Sequence, residues 1–195
     1  RGLPPASLLY IQTRLYLANY IMLMTNTMND VLRYSNTERL YVAQFGGELI
    51  KDARQWEIDA DVLTNDGKTV SIKDQLKASA KYGNIAIGVE TSNPNNGKTK
   101  PDWFGYIATT GFAVLCTHPK TKQAIWIRCR PSRLKQWVEQ NKTSLRKFNL
   151  HPSIIEHNIK QGRTYTDGWG YLIPVQKLLD AGFQYTVLNQ EYTTR

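Results

Sequence analysis

Acidic residues and a lysine recur in one part of this chain at the alternating spacing of β-strands. Asp59 and Asp61 share one face of a predicted strand, and Ser71 and Lys73 share one face of the next strand. Carboxylates bind divalent cations, and an ammonium group offsets the negative charge that a phosphate develops in its transition state. These side chains together predict metal-assisted hydrolysis of a phosphodiester.

The two strands, 56–63 and 69–74, are predicted to form a hairpin. A three-residue loop at 65–67 closes such a hairpin as a type I turn followed by a left-handed glycine. This loop pairs Val62 with Val70, so that apolar side chains meet on one face and polar side chains on the other. A two-residue loop would mix the two kinds of side chain on each face, and the three-residue loop is therefore favoured.

The remaining elements follow from periodicity and from glycine, proline and capping signals. A helix is predicted at 35–45, where Gly46 and Gly47 end it, and a short helix at 75–82 before Gly83. Further predictions are a strand at 85–91, a polar loop at 92–101, a strand pair at 102–115 and 123–128, helices at 132–141, 144–148 and 175–181, and a strand at 171–174.

The composition narrows the class of protein. The chain has 195 residues, of which 41% are hydrophobic, which predicts one domain, or one domain with appendages. Its 25 Lys and Arg residues exceed its 16 Asp and Glu residues, giving a net charge of +9. Such a surplus favours a polyanionic partner, although it is also found on proteins that bind nothing specific. Cys116 and Cys129 form no CxxC pair, which favours two reduced thiols in a cytosolic protein.

The order of these features resembles the PD-(D/E)xK, or restriction-endonuclease-like, nuclease superfamily. That order is a helix with Glu38, a strand with Asp61, a strand with Ser71-x-Lys73, a helix, and a strand with Glu90. The superfamily core is a helix, a three-stranded meander, a helix and a further strand. The resemblance covers about residues 35–115. The resemblance is nearest to phage and mobile-element members. The segments that carry it are Ser71-Ile72-Lys73-Asp74, Gly83-Asn84, the strand that ends at Glu90, and Pro101-Asp102-Trp103.

The resemblance implies an α/β fold with a central mixed sheet, a restriction-endonuclease-like core, and C-terminal helical and strand additions. It divides the chain into an N-terminal helix and extension (1–30), a nuclease-like core (31–130) and a C-terminal part for DNA contact or dimerisation (131–195). The apolar run at 8–24 is interrupted by polar residues, which favours an amphipathic helix over a membrane span.

The resemblance also assigns the site residues. Asp61 and Glu90 would hold Mg²⁺ or Mn²⁺, with Glu38 as a ligand of a second metal. Lys73 would orient or deprotonate the attacking water. The superfamily usually has an acid two residues before the lysine, where this chain has Ser71, and Glu90 is expected to compensate.

Simpler interpretations of these residues stay open. Glu38 follows Ser35 by three residues and fits a capping box, with or without a metal role. Asp61 and Lys73 fit a plain cross-strand ion pair. Asp59 is predicted to be a spare acid on the strand face, and Asp74 to support the site from behind.

The basic surplus supplies candidate DNA contacts. Phosphate contacts of this kind set affinity and orientation rather than sequence choice. The residues predicted to make them are Lys77, Lys81, Lys98, Lys100, Arg128, Arg130 and Arg133, with Lys135 in the second cluster and Arg146 and Lys147 beyond it. Tyr165, Trp169 and Tyr171 either stack on bases or, as we favour, pack in the core.

These observations predict a Mg²⁺-dependent DNA endonuclease in the cytoplasm, or in the host cytoplasm if it is phage-encoded. Cutting both strands needs two active sites, so a homodimer or homotetramer is expected. One alternative is a catalytically inactive nucleic-acid-binding protein on the same fold. Another is a small basic interaction protein whose strands merely resemble those of a nuclease. A membrane partner is not expected.

Overall fold

Two β-sheets organise the chain in a computed structural model, which describes residues 36–52, 57–150, 155–156, 159–160 and 167–189. The helices are α1 (Asn36–Phe45), α2 (Leu76–Tyr82), α3 (Trp103–Tyr106), α4 (Pro131–Asn141) and α5 (Val175–Asp180), and a 3-10 turn spans Lys142–Ser144. The strands are β1 (Glu48–Leu49), β2 (Val62–Leu63), β3 (Thr69–Asp74), β4 (Asn84–Ser92), β5 (Thr99–Pro101), β6 (Gly111–Thr117), β7 (Ala124–Cys129), β8 (Arg146–Asn149), β9 (Asp167–Pro174) and β10 (Tyr185–Val187).

The first sheet has the strand order β1-β2-β3-β6-β7-β10. Its β3 and β6 are parallel and its other pairs are antiparallel, so the sheet is mixed. The second sheet has the order β5-β4-β9-β8 and is antiparallel throughout. The prediction of an α/β protein with a central mixed sheet is therefore confirmed.

Apolar side chains on both faces of β6 explain why the first sheet lies inside the molecule. Phe112, Val114 and Cys116 belong to the core that the first sheet shares with the second sheet and α4. Ala113 and Leu115 belong to the core beneath α1. A continuous apolar run of this kind is typical of a strand that is covered on both faces.

The predicted hairpin register is confirmed. Val62 pairs with Val70, and the Thr64 N–H donates to the Lys68 carbonyl at 2.8 Å. Gly67 has the left-handed φ of 77° that the three-residue loop requires. The first strand is shorter than predicted, because regular pairing begins only at Val62 and Asp59 has a φ of 57°.

The strand that contains Glu90 lies in a different place from its predicted one. β4 belongs to the second sheet, where β5 and β9 are its neighbours. The strand beside β3 is instead β6, in which Ser71 lies opposite Phe112. Alternating apolar residues identified β4 as a strand, but alternation does not determine which strand pairs with which.

Three local predictions were wrong. The segment 102–110, predicted as the start of a strand, contains α3, which Asp102 caps. The segment predicted as a basic helix at 144–148 contains β8, an edge strand of the second sheet. Ser132 does not cap α4, because Arg130 is the capping residue and Pro131 occupies the first helical turn.

The C-terminal part is joined to both sheets. β9 pairs with β4 along most of its length, and β10 pairs with β7. Ser35 and the predicted helix at 8–24 lie outside the described residues. Within the described ranges, no helix is long and apolar enough to cross a membrane.

Candidate active site

The two faces of β3 have different surroundings. Val70 and Ile72 pack in the core beneath α1. Ser71 and Lys73 therefore point to the opposite face, where Ser71 is fully buried and the Lys73 ammonium lies 5.2 Å from the centre of the Trp103 ring in α3. Polar groups on a buried face need polar partners, and residues 59–61, directly before β2, supply them.

Asp59 is the main partner of both side chains. The Ser71 hydroxyl donates to Asp59 Oδ2 at 2.5 Å, and Lys73 Nζ lies 2.9 Å from Oδ1 and 2.8 Å from Oδ2. The left-handed backbone at Asp59 is uncommon for a residue other than glycine, and such conformations persist where surrounding contacts hold them. We call Asp59, Asp61, Ser71 and Lys73 the acid–lysine cluster.

Asp61 carries the least solvated carboxylate of the acid–lysine cluster. The residue is 7% exposed, and the Ile72 N–H donates to its Oδ2 at 2.6 Å. Burial raises the pKa of Asp61 to about 6, although the Lys73 charge and the Ile72 hydrogen bond act in the opposite direction. Asp59 adds to the increase because its negative charge is close by.

The helix α3 adds two more polar groups. Burial raises the pKa of Asp102, while the charges of Lys73 and Asp59 act on it in opposite directions. Burial also raises the pKa of Tyr106 to about 12, with further contributions from the negative charges of Asp59, Asp102 and Asp61. Tyr106 is therefore a neutral hydroxyl beside a group of carboxylates.

A glycine in β4 makes room for Asp102. A Cβ atom at Gly88 would lie only 1.7 Å from Asp102 Oδ2, so no larger residue fits at this position without a shift. The Asp102 N–H donates to the Val89 carbonyl at 2.9 Å, and its Oδ1 accepts from the Trp103 N–H at 2.8 Å. These contacts attach α3 to the second sheet and hold it against the acid–lysine cluster.

Glu90 makes its hydrogen bond outside the acid–lysine cluster. Its Oε1 accepts a hydrogen bond from Trp169 Nε1 at 3.2 Å, across the β4–β9 pair. Between the described residues, no hydrogen bond or ion pair joins Glu90 to Asp61 or Lys73. Its predicted place beside Asp61 therefore has no contact to support it.

The other predicted acids have clear positions. Glu38 lies in the first turn of α1. Asp74 accepts from the Thr37 hydroxyl at 2.7 Å and from the Leu76 N–H at 3.0 Å. Asp74 thus joins α1 to the start of α2, a structural role behind the site.

The positions of these acids bear on whether the site can hold a metal ion. In the part of the chain that the structure describes, no group of three or more His, Cys, Asp or Glu side chains is arranged to hold a metal ion. Asp59 and Asp61 do offer carboxylate oxygens, which Mg²⁺ prefers, and Mg²⁺ sites often use one or two carboxylates with water and substrate phosphate. The chemistry of these two donors therefore fits Mg²⁺.

The residues predicted to contact DNA differ in what they touch in the structure. Arg128 lies 4.0 Å from the centre of the Phe45 ring and hydrogen-bonds to Tyr41. Arg133 lies over Phe183 and donates to the carbonyls that follow α5. Both arginines are exposed, as are Lys77, Lys81, Lys98, Lys100 and Arg130, and the Lys81 ammonium lies 4.9 Å from the centre of the Tyr82 ring. The charge of Lys100 also acts on Asp102, which places it near α3.

The simpler prediction was reduced thiols for the two cysteines and core packing for the three C-terminal aromatic residues. Cys116 and Cys129 are free, and burial raises the pKa of each to about 12. Tyr171 is buried in the core, and Trp169 packs against it half-buried. Tyr165 lies outside the described residues.

Sequence reasoning missed the parts that Asp59, Asp102 and Tyr106 play. Asp102 directly precedes an aromatic pair, and an Asp in that position is a signal for the start of a helix. This signal could have revealed α3. The partnership of Asp59 with Lys73 depends on an unusual backbone angle, for which the sequence carries no signal.

Comparison with known proteins adds no relative: no protein-family model matches this chain, and no curated protein matches it.

Proposed function

We propose that this protein is a metal-dependent nuclease of the restriction-endonuclease-like class that hydrolyses phosphodiester bonds in DNA. The observation that carries the proposal is the acid–lysine cluster. Two carboxylates, a hydroxyl and an ammonium group meet on one face of β3, where burial strengthens the interactions among them. Perturbed ionisable groups that cluster in this way are more frequent at active sites than elsewhere.

The order of elements in the first sheet supports the same proposal. α1 precedes the antiparallel strands β1, β2 and β3, and α2 then leads toward a strand parallel to β3. A helix, a three-stranded meander, a helix and a further strand are the core that the resemblance implies. In this chain the further strand is β6, and β4, β5 and α3 are inserted before it.

Each side chain has a defined part in the proposed reaction. Lys73 places its ammonium group where it can neutralise the phosphate, and Asp59 fixes its orientation. The Ile72 N–H holds the Asp61 carboxylate in place close to Asp59. Asp59 and Asp61 would hold Mg²⁺, which supplies Lewis acidity and lowers the pKa of bound water. Tyr106 offers a hydroxyl donor beside them.

The net charge of +9 supports a polyanionic substrate. Lys77 and Lys81 are exposed on α2, the helix that directly follows β3, and Lys100 lies near Asp102. Cleavage of both strands would need two copies of the site, so a homodimer or homotetramer belongs to the proposal. Sedimentation velocity with and without duplex DNA tests that part.

Plasmid nicking tests the activity. Purified protein with Mg²⁺ or Mn²⁺ is expected to relax supercoiled DNA, and EDTA to stop the reaction. Lys73→Met should lower the rate by roughly a hundredfold or more, since removal of one donor to a developing charge has effects of that size. Lys68→Met is the matched control, because Lys68 pairs with Asp66 in the β2–β3 turn. An unmodified protein that never nicks DNA with either metal contradicts the proposal.

A second candidate function is a catalytically inactive nucleic-acid-binding protein on the same fold. It is favoured because, within the described ranges, no hydrogen bond or ion pair joins Glu90 to the acid–lysine cluster and no three-residue metal group is present. It predicts salt-dependent DNA affinity without nicking, and Lys73→Met that binds like the unmodified protein. The plasmid assay combined with filter binding separates the two functions.

A further inference from the structure

A concave site lies between α3, α4 and the second sheet. It is a cavity of about 500 Å³, within the range of about 300–1,000 Å³ that is usual for small-molecule sites. We call it the α3–α4 cavity, and its lining includes Phe104, Lys135, Glu139, Lys142, Trp169 and Tyr171. The helix α3 borders both sites, because Trp103 and Tyr106 lie by the acid–lysine cluster and Phe104 lines the cavity.

The indole of Trp169 forms an aromatic wall whose orientation is held by three contacts. Its Nε1 donates to Glu90, and its ring centre lies 5.5 Å from that of Tyr171 in an edge-to-face arrangement. The Lys147 ammonium lies 4.9 Å from the ring centre of Trp169. A half-buried indole that is fixed in this way can stack on a planar aromatic ligand with little loss of side-chain entropy.

The surroundings of the cavity are positively charged. Lys135 donates to the carbonyls of Gly105 and Ile107 at 3.1 and 3.0 Å, and burial lowers its pKa. Lys142 pairs with Glu139 at the rim, and Lys147 stands beside Trp169. The three lysines outnumber the two acids, Glu139 at the rim and Glu90 at the Trp169 indole, so the cavity favours a ligand that is both aromatic and anionic.

We propose that the α3–α4 cavity binds one nucleotide, with its base against Trp169 and its phosphate near Lys142 and Lys147. The nucleotide either belongs to a single-stranded nucleic acid or is free in solution. The proposal does not depend on nuclease activity, because binding needs neither a metal ion nor Lys73. In this arrangement Glu90 is a positioning residue for Trp169.

Binding in EDTA tests this site apart from cleavage. The probe is an oligo(dT) of about eight nucleotides, a length within the usual site sizes for single strands. We expect it to quench tryptophan fluorescence, and we expect Trp169→Phe to lose much of the quenching while it retains binding. Trp169→Ala should weaken binding by roughly 5- to 150-fold, the range of base stacking on aromatic residues.

A surface variant keeps the test decisive if Trp169→Ala fails to fold. Lys147→Ala, which removes an exposed ammonium, should flatten the salt dependence of log affinity by about 0.7, the value for one phosphate contact to a single strand. Lys68→Ala is the matched control and should leave the slope unchanged. Circular dichroism confirms that each variant is folded.

Two further probes identify the ligand. An oligomer with abasic sites should bind more weakly than oligo(dT), and dTMP alone distinguishes a free nucleotide from a strand. Tight binding of dTMP alone would support the cavity and assign it to free nucleotides. The proposal is overturned if neither oligo(dT) nor dTMP binds, if the abasic oligomer binds as well as oligo(dT), or if folded Trp169 and Lys147 variants bind like the unmodified protein.

Discussion

The acid–lysine cluster and the α3–α4 cavity lie on either side of one short helix, yet different forces hold them. In the acid–lysine cluster, ionised groups are largely buried, and their interactions with each other compensate for their lost hydration. Around the cavity, lysines keep part of their solvent exposure and rest on aromatic rings or backbone carbonyls.

The contrast shows where a substitution should have a large effect. Removal of one partner from a buried charge pair leaves the other partner uncompensated in a medium of low dielectric constant. Removal of an exposed cation mainly changes the surface potential. The acid–lysine cluster should therefore respond strongly in stability, and the cavity rim mainly in binding.

The largest expected effect is on the Lys73–Asp59 pair. Lys73→Met should lower the free energy of unfolding by about 2–4 kcal/mol, because Asp59 keeps a mostly buried charge without its partner. Urea unfolding at neutral pH measures this loss.

Lys147→Met is the comparison at the cavity, where a cation rests on Trp169. It should change stability by less than about 1 kcal/mol. A second control, Asp59→Asn combined with Lys73→Met, should recover part of the loss. Equal costs for the two lysine variants would remove the distinction between the two regions.

The next effect concerns the contact that joins the regions. Gly88→Ala would place a Cβ atom against the Asp102 carboxylate, so the Asp102 side chain or α3 must shift, at a cost of about 1–3 kcal/mol. In an Asp102→Ala background the same substitution should cost much less, because the clashing oxygen is gone.

A double-mutant cycle by urea unfolding measures this coupling. Asp102→Ala alone should cost about 1 kcal/mol through the lost cap of α3. Strictly additive effects would show that Gly88 and Asp102 are not in the contact described.

A smaller effect should appear as a pH dependence. The pKa of Asp61 is raised from 3.8 to about 6, so the folded state binds this proton more tightly than the unfolded state. In EDTA, the stability contribution from the neutral carboxyl is present below about pH 4 and is lost as the pH rises to about 6.

Asp61→Asn keeps an oxygen that can accept from the Ile72 N–H but carries no charge. Its stability should lack this slope and exceed that of the unmodified protein well above pH 6 by about 3 kcal/mol. Thermal unfolding in EDTA from pH 4 to 7.5 measures both curves, and parallel curves would contradict the prediction.

Local patterns were sufficient to predict the elements whose ends and faces are determined by nearby residues. The β2–β3 register follows from the separation of apolar and polar faces, and Gly46 and Gly83 mark the ends of α1 and α2. The strand at Glu90 was also correctly identified as a strand.

Relationships between distant strands could not be predicted in the same way. Nothing near Glu90 indicates that β4 pairs with β9 rather than with the first sheet, because pairing is decided by the packing of the whole chain. Similarly, Arg128 and Arg133 look like free cations in the sequence, but they lie over the distant rings of Phe45 and Phe183. The role of Asp102 depends on Gly88, a contact between two elements.

The pairing of late strands with early ones has a consequence for how the molecule is made. β9 completes the second sheet beside β4, and β10 completes the first beside β7. During synthesis, neither sheet can close until residues 167–187 have left the ribosome, and until then β4 and β7 each have an unpaired edge. The strands of both pairs, β4–β9 and β7–β10, are far apart in the chain. The two sheets should therefore form slowly, mainly after β9 and β10 have emerged.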